Sequence, residues 1–214
     1  MNIINMSGNK FFHLLTEFRN KDTSSERLKL VYQYLGEIMG NKLIDLLPAI
    51  PIEITTPLNE TYTGVTLNVD KTLILSTFED NELFAKKIGK SLPNVCYGHL
   101  GTLSPDKSWL SNQEYLVLPD FDDELKEVET LIFCKSVLAT GCTAKTYIDY
   151  IINKFNPSNI FILSLISSNE ALKELTTLYK SYNLTFIIGE TDKLNENNYL
   201  SPGVGNVESR LKEA

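Results

Sequence analysis

LIFCKSVLATGCTA, residues 131–144, runs from an apolar segment into a short loop bearing Thr and Gly, and then into the start of a helical pattern. A short apolar run bounded by turn residues reads as a buried strand, and a strand, loop and helix in succession form the repeating unit of parallel sheets. Over residues 143–155 the helix places Tyr147, Ile148, Ile151, Ile152 and Phe155 on one face. Towards the C-terminus the alternation continues with an apolar run at 160–166, a helix over 168–182 with Ser167 and Glu170 in capping-box spacing, and a strand at 184–188. Towards the N-terminus, strands are expected at 130–134, 95–100 and 73–75, with a helix over 82–90. A hairpin or a small excursion is expected within 52–69, around Pro57, Asn59 and Gly64. Before it, residues 23–39 carry Leu28, Val31, Tyr32, Leu35 and Ile38 at helical spacing, with Thr23 and Glu26 as a capping box. The fold class expected is α/β, a mainly parallel central sheet flanked by helices on both faces.

The chain has 214 residues, 43% hydrophobic and 22% charged, which suits one globular domain over 1–214. No internal repeat is present, and residues 104–113, 120–129 and 190–198 read as loops. A formal charge of −7 disfavours nucleic acid and anionic membrane as partners. The three cysteines, Cys96, Cys134 and Cys142, have irregular spacing and no histidine at zinc-ligand distance, so reduced thiols and a cytoplasmic location are expected. Neither a secretory leader nor an apolar run long enough to span a membrane is found.

The loop in the opening stretch is suited to a phosphate monoester. A helix N-terminus presents free N–H groups and partial positive charge, so Ala139, Thr140, Gly141, Cys142 and Thr143 form a candidate cradle. Gly141 permits close approach of the backbone, and the hydroxyls of Thr140 and Thr143 add donors. The plainer alternative is that Gly141 relieves a tight turn while Thr140 or Thr143 caps the helix. His13 falls on an apolar helical face and His99 in an apolar strand, both read as core or capping residues. Cys142, at a helix N-terminus, has no base partner in the pattern. The acidic run at 121–124 reads as a solvated loop, Trp109 as a hood or interface aromatic, and no metal site is assigned.

Three segments together resemble the uracil phosphoribosyltransferase family. Leu138-Ala139-Thr140-Gly141, followed by a small residue, Thr and Ala, resembles the family's ribose-phosphate loop. YLSPGVGNVESR, residues 199–210, resembles its C-terminal uracil loop, and Tyr97-Gly98-His99-Leu100-Gly101 resembles the strand before its flexible hood. Weaker similarity includes residues 53–57 in the hairpin, and coverage runs over about 10–212. The resemblance implies a type I phosphoribosyltransferase fold with a C-terminal uracil-loop hood. It also implies transfer of a phosphoribosyl group from phosphoribosyl diphosphate to uracil, giving UMP and diphosphate with the help of Mg²⁺. On this resemblance the 139–143 loop binds the 5-phosphate, and Tyr199, Leu200, Gly203, Gly205 and Asn206 bind uracil. Partners implied are a small nucleotide or nucleobase, and a further copy or related subunit in a homo-oligomer (dimer or tetramer) or hetero-oligomer.

This chain departs from the family pattern at charged positions. Lys135 stands where the family has an acid that binds the ribose hydroxyls, and Glu79 falls at or beside an Arg that grips diphosphate. Asn206 and Ser209 replace two aspartates, and Val117 replaces a Lys. The monophosphate cradle and uracil loop are thus kept while the diphosphate and metal apparatus is lost. Slow or undetectable UMP formation is expected, with Lys107 and Lys135 as the cations that would compensate. The plain reading makes Lys135 a solvated loop residue and Glu79 an acid favouring a helix N-terminus. The alternatives are a silent homologue that binds UMP or another small nucleotide and regulates a partner, and a structural homologue without ligand.

Overall fold

Two neighbouring parallel strands of the sheet, β4 (Thr72–Thr77) and β6 (Thr130–Cys134), organise its topology in a computed structural model that describes residues 2–100 and 127–212. Parallel strands follow on either side: β5 (Cys96–Leu100) beside β4, and β8 (Asn159–Ser168), β9 (Asn183–Leu194) and β1 (Asn2–Asn5) beyond β6. Short β7 (Val137–Leu138) pairs with β8, and β10 (Leu200–Ser201) pairs antiparallel with the end of β9. The spatial order β1-β9-β8-β6-β4-β5 means that the chain turns one way after β4 and the other way after β6. This reversal opens a crevice at the carboxyl ends of those two strands.

Strand residues are apolar on both faces because both faces are covered. Ile74, Ile132, Phe161, Leu163 and Ile187 join a core with α1 (Asn9–Arg19) and α2 (Ser25–Ile44), whereas Leu73, Leu131, Phe133, Ile162 and Phe186 join α5 (Cys142–Phe155) and α6 (Asn169–Leu178). Each fully buried Leu, Ile or Phe contributes about 1.5–3 kcal/mol. Between β4 and β5 the chain makes a continuous helical run, α3 (Phe78–Asp80), a π turn (Asn81–Ala85), α4 (Lys86–Ile88) and a 3₁₀ turn (Gly89–Ser91). β2 (Ala49–Thr55) and β3 (Thr61–Leu67) form the expected hairpin, a separate two-stranded antiparallel sheet, and α7 (Val207–Lys212) closes the described chain.

Several boundaries differ from those expected. Ser24, and not Thr23, caps α2 by accepting from the Arg27 N–H at 3.3 Å, because the Thr23 hydroxyl donates to the Glu17 carbonyl at 2.7 Å. Ser168, and not Ser167, caps α6 by accepting from the Ala171 N–H at 2.8 Å, since β8 runs to residue 168. β9 extends to Leu194, so 190–194 is strand where a loop was expected: its far end pairs with β8 and β10. His13 does not lie on the apolar face of α1; it is exposed, 3.0 Å from Glu17 one turn away. Residues 104–113, most of 120–129, Gly101, Lys107, Trp109 and Val117 lie outside the described residues. Among the described residues, no helix is long and apolar enough to cross a membrane.

Candidate functional site

After β6 the chain is stitched to β8 at each step. Lys135 donates its N–H to the Leu163 carbonyl at 3.0 Å, and the Ser136 carbonyl accepts from the N–H groups of Leu165 (3.0 Å) and Ile166 (3.1 Å). The Ala139 carbonyl accepts from the Ser168 hydroxyl, which fixes the start of the 139–143 loop to the head of α6. Gly141 then adopts φ 83°, a left-handed conformation that favours glycine, and α5 begins at Cys142 with no side-chain cap from Gly141. Within the loop, the Thr140 hydroxyl accepts from the Cys142 N–H at 3.4 Å. Cys142 is exposed and Thr143 half-buried, so the five candidate cradle residues lie together at a helix N-terminus on the carboxyl edge.

Lys135 and Ser136, which lead into this loop, belong to a polar cluster that the sequence did not announce. Asp80, with a side chain 3% exposed, accepts from the hydroxyls of Tyr32, Thr77 (3.0 Å) and Ser136 (2.7 Å) and from the Ser136 N–H (3.2 Å). The Lys135 ammonium lies 3.1 Å from the same carboxylate and donates to the Thr77 hydroxyl at 3.2 Å. Lys135 is therefore not a freely solvated loop residue, because its charge is matched by an acid across the crevice. Burial pushes the Asp80 carboxyl upward, but the Lys135 charge and the hydrogen bonds from Tyr32, Ser136 and Lys135 outweigh it and hold it below the usual carboxylate range. Burial, joined by the Asp80 charge, pushes Tyr32 well above its ordinary value. Glu79, the acid singled out in the sequence, is exposed on the preceding position. Tyr147 on α5 is pushed up to about 12, first by burial and then by the charges of Glu79 and Asp80.

On the far side of β8 from β6, the end of β9 leads towards the second loop. Ser168 of β8 and Asp192 of β9 are register partners, so the residue that holds Ala139 neighbours the one that holds Gly203. Asp192, buried, accepts from the Gly203 N–H at 2.8 Å. Arg19 of α1 makes two 2.9 Å bonds to the Asp192 carboxylate, one to Glu190 and one to the Gly203 carbonyl. Burial works against the Arg19 charge, yet the hydrogen bonds and charges of Asp192 and Glu190 prevail and raise its pKa. Gly203 has φ 68°, and a Cβ there would stand 2.4 Å from the Leu200 carbonyl oxygen, so only glycine fits. Tyr199 is exposed, Leu200 half-buried and Gly205 exposed. Asn206 caps α7 by accepting from the Ser209 N–H at 2.9 Å. Arg210 donates to the carbonyls of Val204 (2.8 Å), Phe18 (2.7 Å) and Asn20 (2.7 Å), anchoring the far side of the loop.

Two loops at one edge, one at a helix N-terminus and one a glycine-bent arch, can be set against known proteins. The family model of uracil phosphoribosyltransferase matches residues 6–211. This chain belongs to the uracil phosphoribosyltransferase family. Relatives include the uracil phosphoribosyltransferase of Streptococcus mutans, 29% identical over 200 residues, covering 93% of this chain and 92% of the relative. That of Natronomonas pharaonis is 24% identical, covering 92% and 90%. Among solved structures, the AQ2163 protein from Aquifex aeolicus superposes with a TM-score of 0.84 at 23% identity, covering 99% of this chain and 98% of that one. Adenine phosphoribosyltransferase from Leishmania donovani superposes at 0.55 with 13% identity, covering 92% and 86%. The type I phosphoribosyltransferase fold follows.

The Mg²⁺ implied by resemblance to the uracil phosphoribosyltransferase family would be held by one or two carboxylates together with waters and substrate phosphates. Among the described residues no group of three or more His, Cys, Asp or Glu side chains converges. The carboxylate at the crevice floor, Asp80, is already held by Lys135, Tyr32, Thr77 and Ser136. Asp80, Arg19, Asp192 and Ser168 were the positions missed from the sequence. None of these left a signal in the sequence, because the partners of Asp80 and Asp192 come from other strands and helices that only the strand order brings together.

Proposed function

We propose that this chain is a uracil phosphoribosyltransferase-like protein of pyrimidine salvage that holds UMP, its phosphate on the 139–143 loop and its base against residues 199–205. The observation that carries this reading is the junction of the two loops at one sheet edge, through Ala139, Ser168, Asp192 and Gly203. Amides of the first turn of α5 suit a dianionic phosphate. Backbone groups of the second loop suit the donor and acceptor edge of a pyrimidine, and they tolerate the altered side chains at Leu200, Ser201 and Val204. Transfer of a phosphoribosyl group to uracil also releases diphosphate, which calls for positive charge where negative charge accumulates. Asp80 offsets the Lys135 charge and Glu79 adds another acid nearby, so turnover is slow and nucleotide binding is the better preserved property. A homo-oligomer belongs to the same reading, because the β2–β3 hairpin turns apolar side chains outward.

Calorimetric titration with UMP, uracil and phosphoribosyl diphosphate, with and without Mg²⁺, tests binding, and an assay of UMP formation tests turnover. UMP binds under both conditions, and turnover lies far below the roughly 10 per second typical of enzymes. Absence of UMP binding overturns the site, whereas turnover near that typical rate overturns the charge argument alone.

A further inference from the structure

The geometry points to Arg19 and Asp192 as positioning residues that preset the base-binding arch before any ligand arrives, an inference that rests on the assignment of residues 199–205 to the base. The two side chains take hold of Gly203 from both sides: the Asp192 carboxylate accepts its N–H at 2.8 Å, and the Arg19 guanidinium donates to its carbonyl at 2.9 Å. They are themselves locked together by two parallel bonds of 2.9 Å, the fork geometry in which a guanidinium and a carboxylate bind most firmly. Side-chain exposure is 18% for Arg19 and 4% for Asp192, so water competes little for these groups. The clamp joins elements far apart in sequence, the end of α1, the end of β9 and the loop after β10. Its effect is specific to one point of the arch, since the neighbouring carbonyl of Val204 is held separately by Arg210.

Holding Gly203 in its left-handed conformation has a consequence for recognition. With its N–H spent on Asp192 and one carbonyl lone pair on Arg19, Gly203 keeps only its second lone pair for a base, and the other groups available are those of its neighbours, whose directions the fixed residue sets. A loop already ordered in the free protein gives up less conformational entropy on binding, and affinity gained this way is confined to ligands that use the loop. The clamp therefore acts on a ligand with a base and leaves one without a base unaffected. Ribose 5-phosphate, which shares only the phosphate and sugar, serves as the second probe.

The test compares UMP and ribose 5-phosphate by calorimetry in the full-length wild type and in Arg19→Gln, Asp192→Asn and Glu190→Gln. Glu190 bonds Arg19 without touching Gly203, so Glu190→Gln is the control. In Arg19→Gln and Asp192→Asn, UMP affinity falls at least about tenfold while ribose 5-phosphate changes by less than about twofold; the control keeps both. Folded variants, verified by circular dichroism, that bind UMP as the wild type does overturn the positioning role. Equal losses for both ligands overturn it too, because they mark a general structural defect. Amide hydrogen exchange in the unmodified protein covers the case in which a variant fails to fold. Slow exchange at Gly203 without ligand is expected, and exchange that slows only when UMP is added overturns presetting. If wild type binds both ligands equally, the base assignment of residues 199–205 fails, and the positioning role falls with it.

Discussion

A carboxylate introduced at position 135 would replace the ammonium that now lies 3.1 Å from Asp80. An aspartate's shorter side chain does not reach the place of the ammonium, so its repulsion acts over a longer distance, but removing the partner of a buried ion costs about 3–5 kcal/mol by itself. Lys135→Asp therefore destabilises the protein by about 3–5 kcal/mol, and adding Asp80→Asn recovers about 2 kcal/mol of it. Urea unfolding at neutral pH measures both, and a fully additive double variant would refute the coupling. Restoring a family-like acid at this position thus requires a second change that the sequence resemblance did not indicate. Asp80 also sets a pH dependence. Its folded pKa is depressed, so its contribution is complete above the unfolded value of about 3.9 and is lost as pH falls through the lower folded value. Asp80→Asn flattens the acid limb of stability against pH, which urea midpoints at a series of pH values would reveal; an unchanged limb would contradict the assignment.

At the scale of elements, the strands were the most legible feature because a sheet covered on both faces demands continuous apolar runs such as LIF before Cys134 and IFIL before Ser164. Caps were legible only to within one residue: Thr23 and Ser24, or Ser167 and Ser168, carry similar hydroxyls, and tertiary partners decide which one turns inward. The loop at 139–143 was legible because its glycine and threonines sit at the fixed joint between strand and helix. The Asp80–Lys135 pair and the Arg19–Asp192 clamp were not, since their members are brought together only by strand order and helix packing. Gly141 permits a prediction about its element. A Cβ there would meet Ala171 and Leu175 at ordinary contact distances of 3.5–3.6 Å, so the cost of Gly141→Ala is conformational and comes from φ 83°. That cost is about 1–2 kcal/mol. Because relief of the strain re-aims the first turn of α5, UMP affinity falls at least about tenfold. Melting and calorimetry measure the two effects, and UMP affinity equal to wild type would remove this turn from the site.

For the molecule as a whole, the hairpin is the part whose stability the other described residues do not explain. An isolated two-stranded ribbon is marginal in water, and third strands or a packed face normally support it. Here β2 is exposed along its whole length, and register places Ile50, Ile52 and Ile54 opposite Thr66, Gly64 and Tyr62 on one face. Ile50, Ile52, Ile54 and Tyr62 are all 41–57% exposed, while Val65 reaches 76% on the other side. A row of isoleucines on an unpaired ribbon is costly to leave in water and invites a self-complementary contact, as cyclic homo-oligomers use. The formal charge of −7 opposes association of arbitrary surfaces, so contact is expected to concentrate on this apolar stretch. The wild type therefore elutes as a discrete dimer or tetramer in size exclusion with light scattering. Ile52→Lys with Ile54→Lys shifts it to monomer without changing far-ultraviolet circle dichroism of the sheet and helices, because neither side chain belongs to the buried clusters. A wild type that is monomeric at micromolar concentration, or a double variant that remains oligomeric, would show that the hairpin is not the assembly surface.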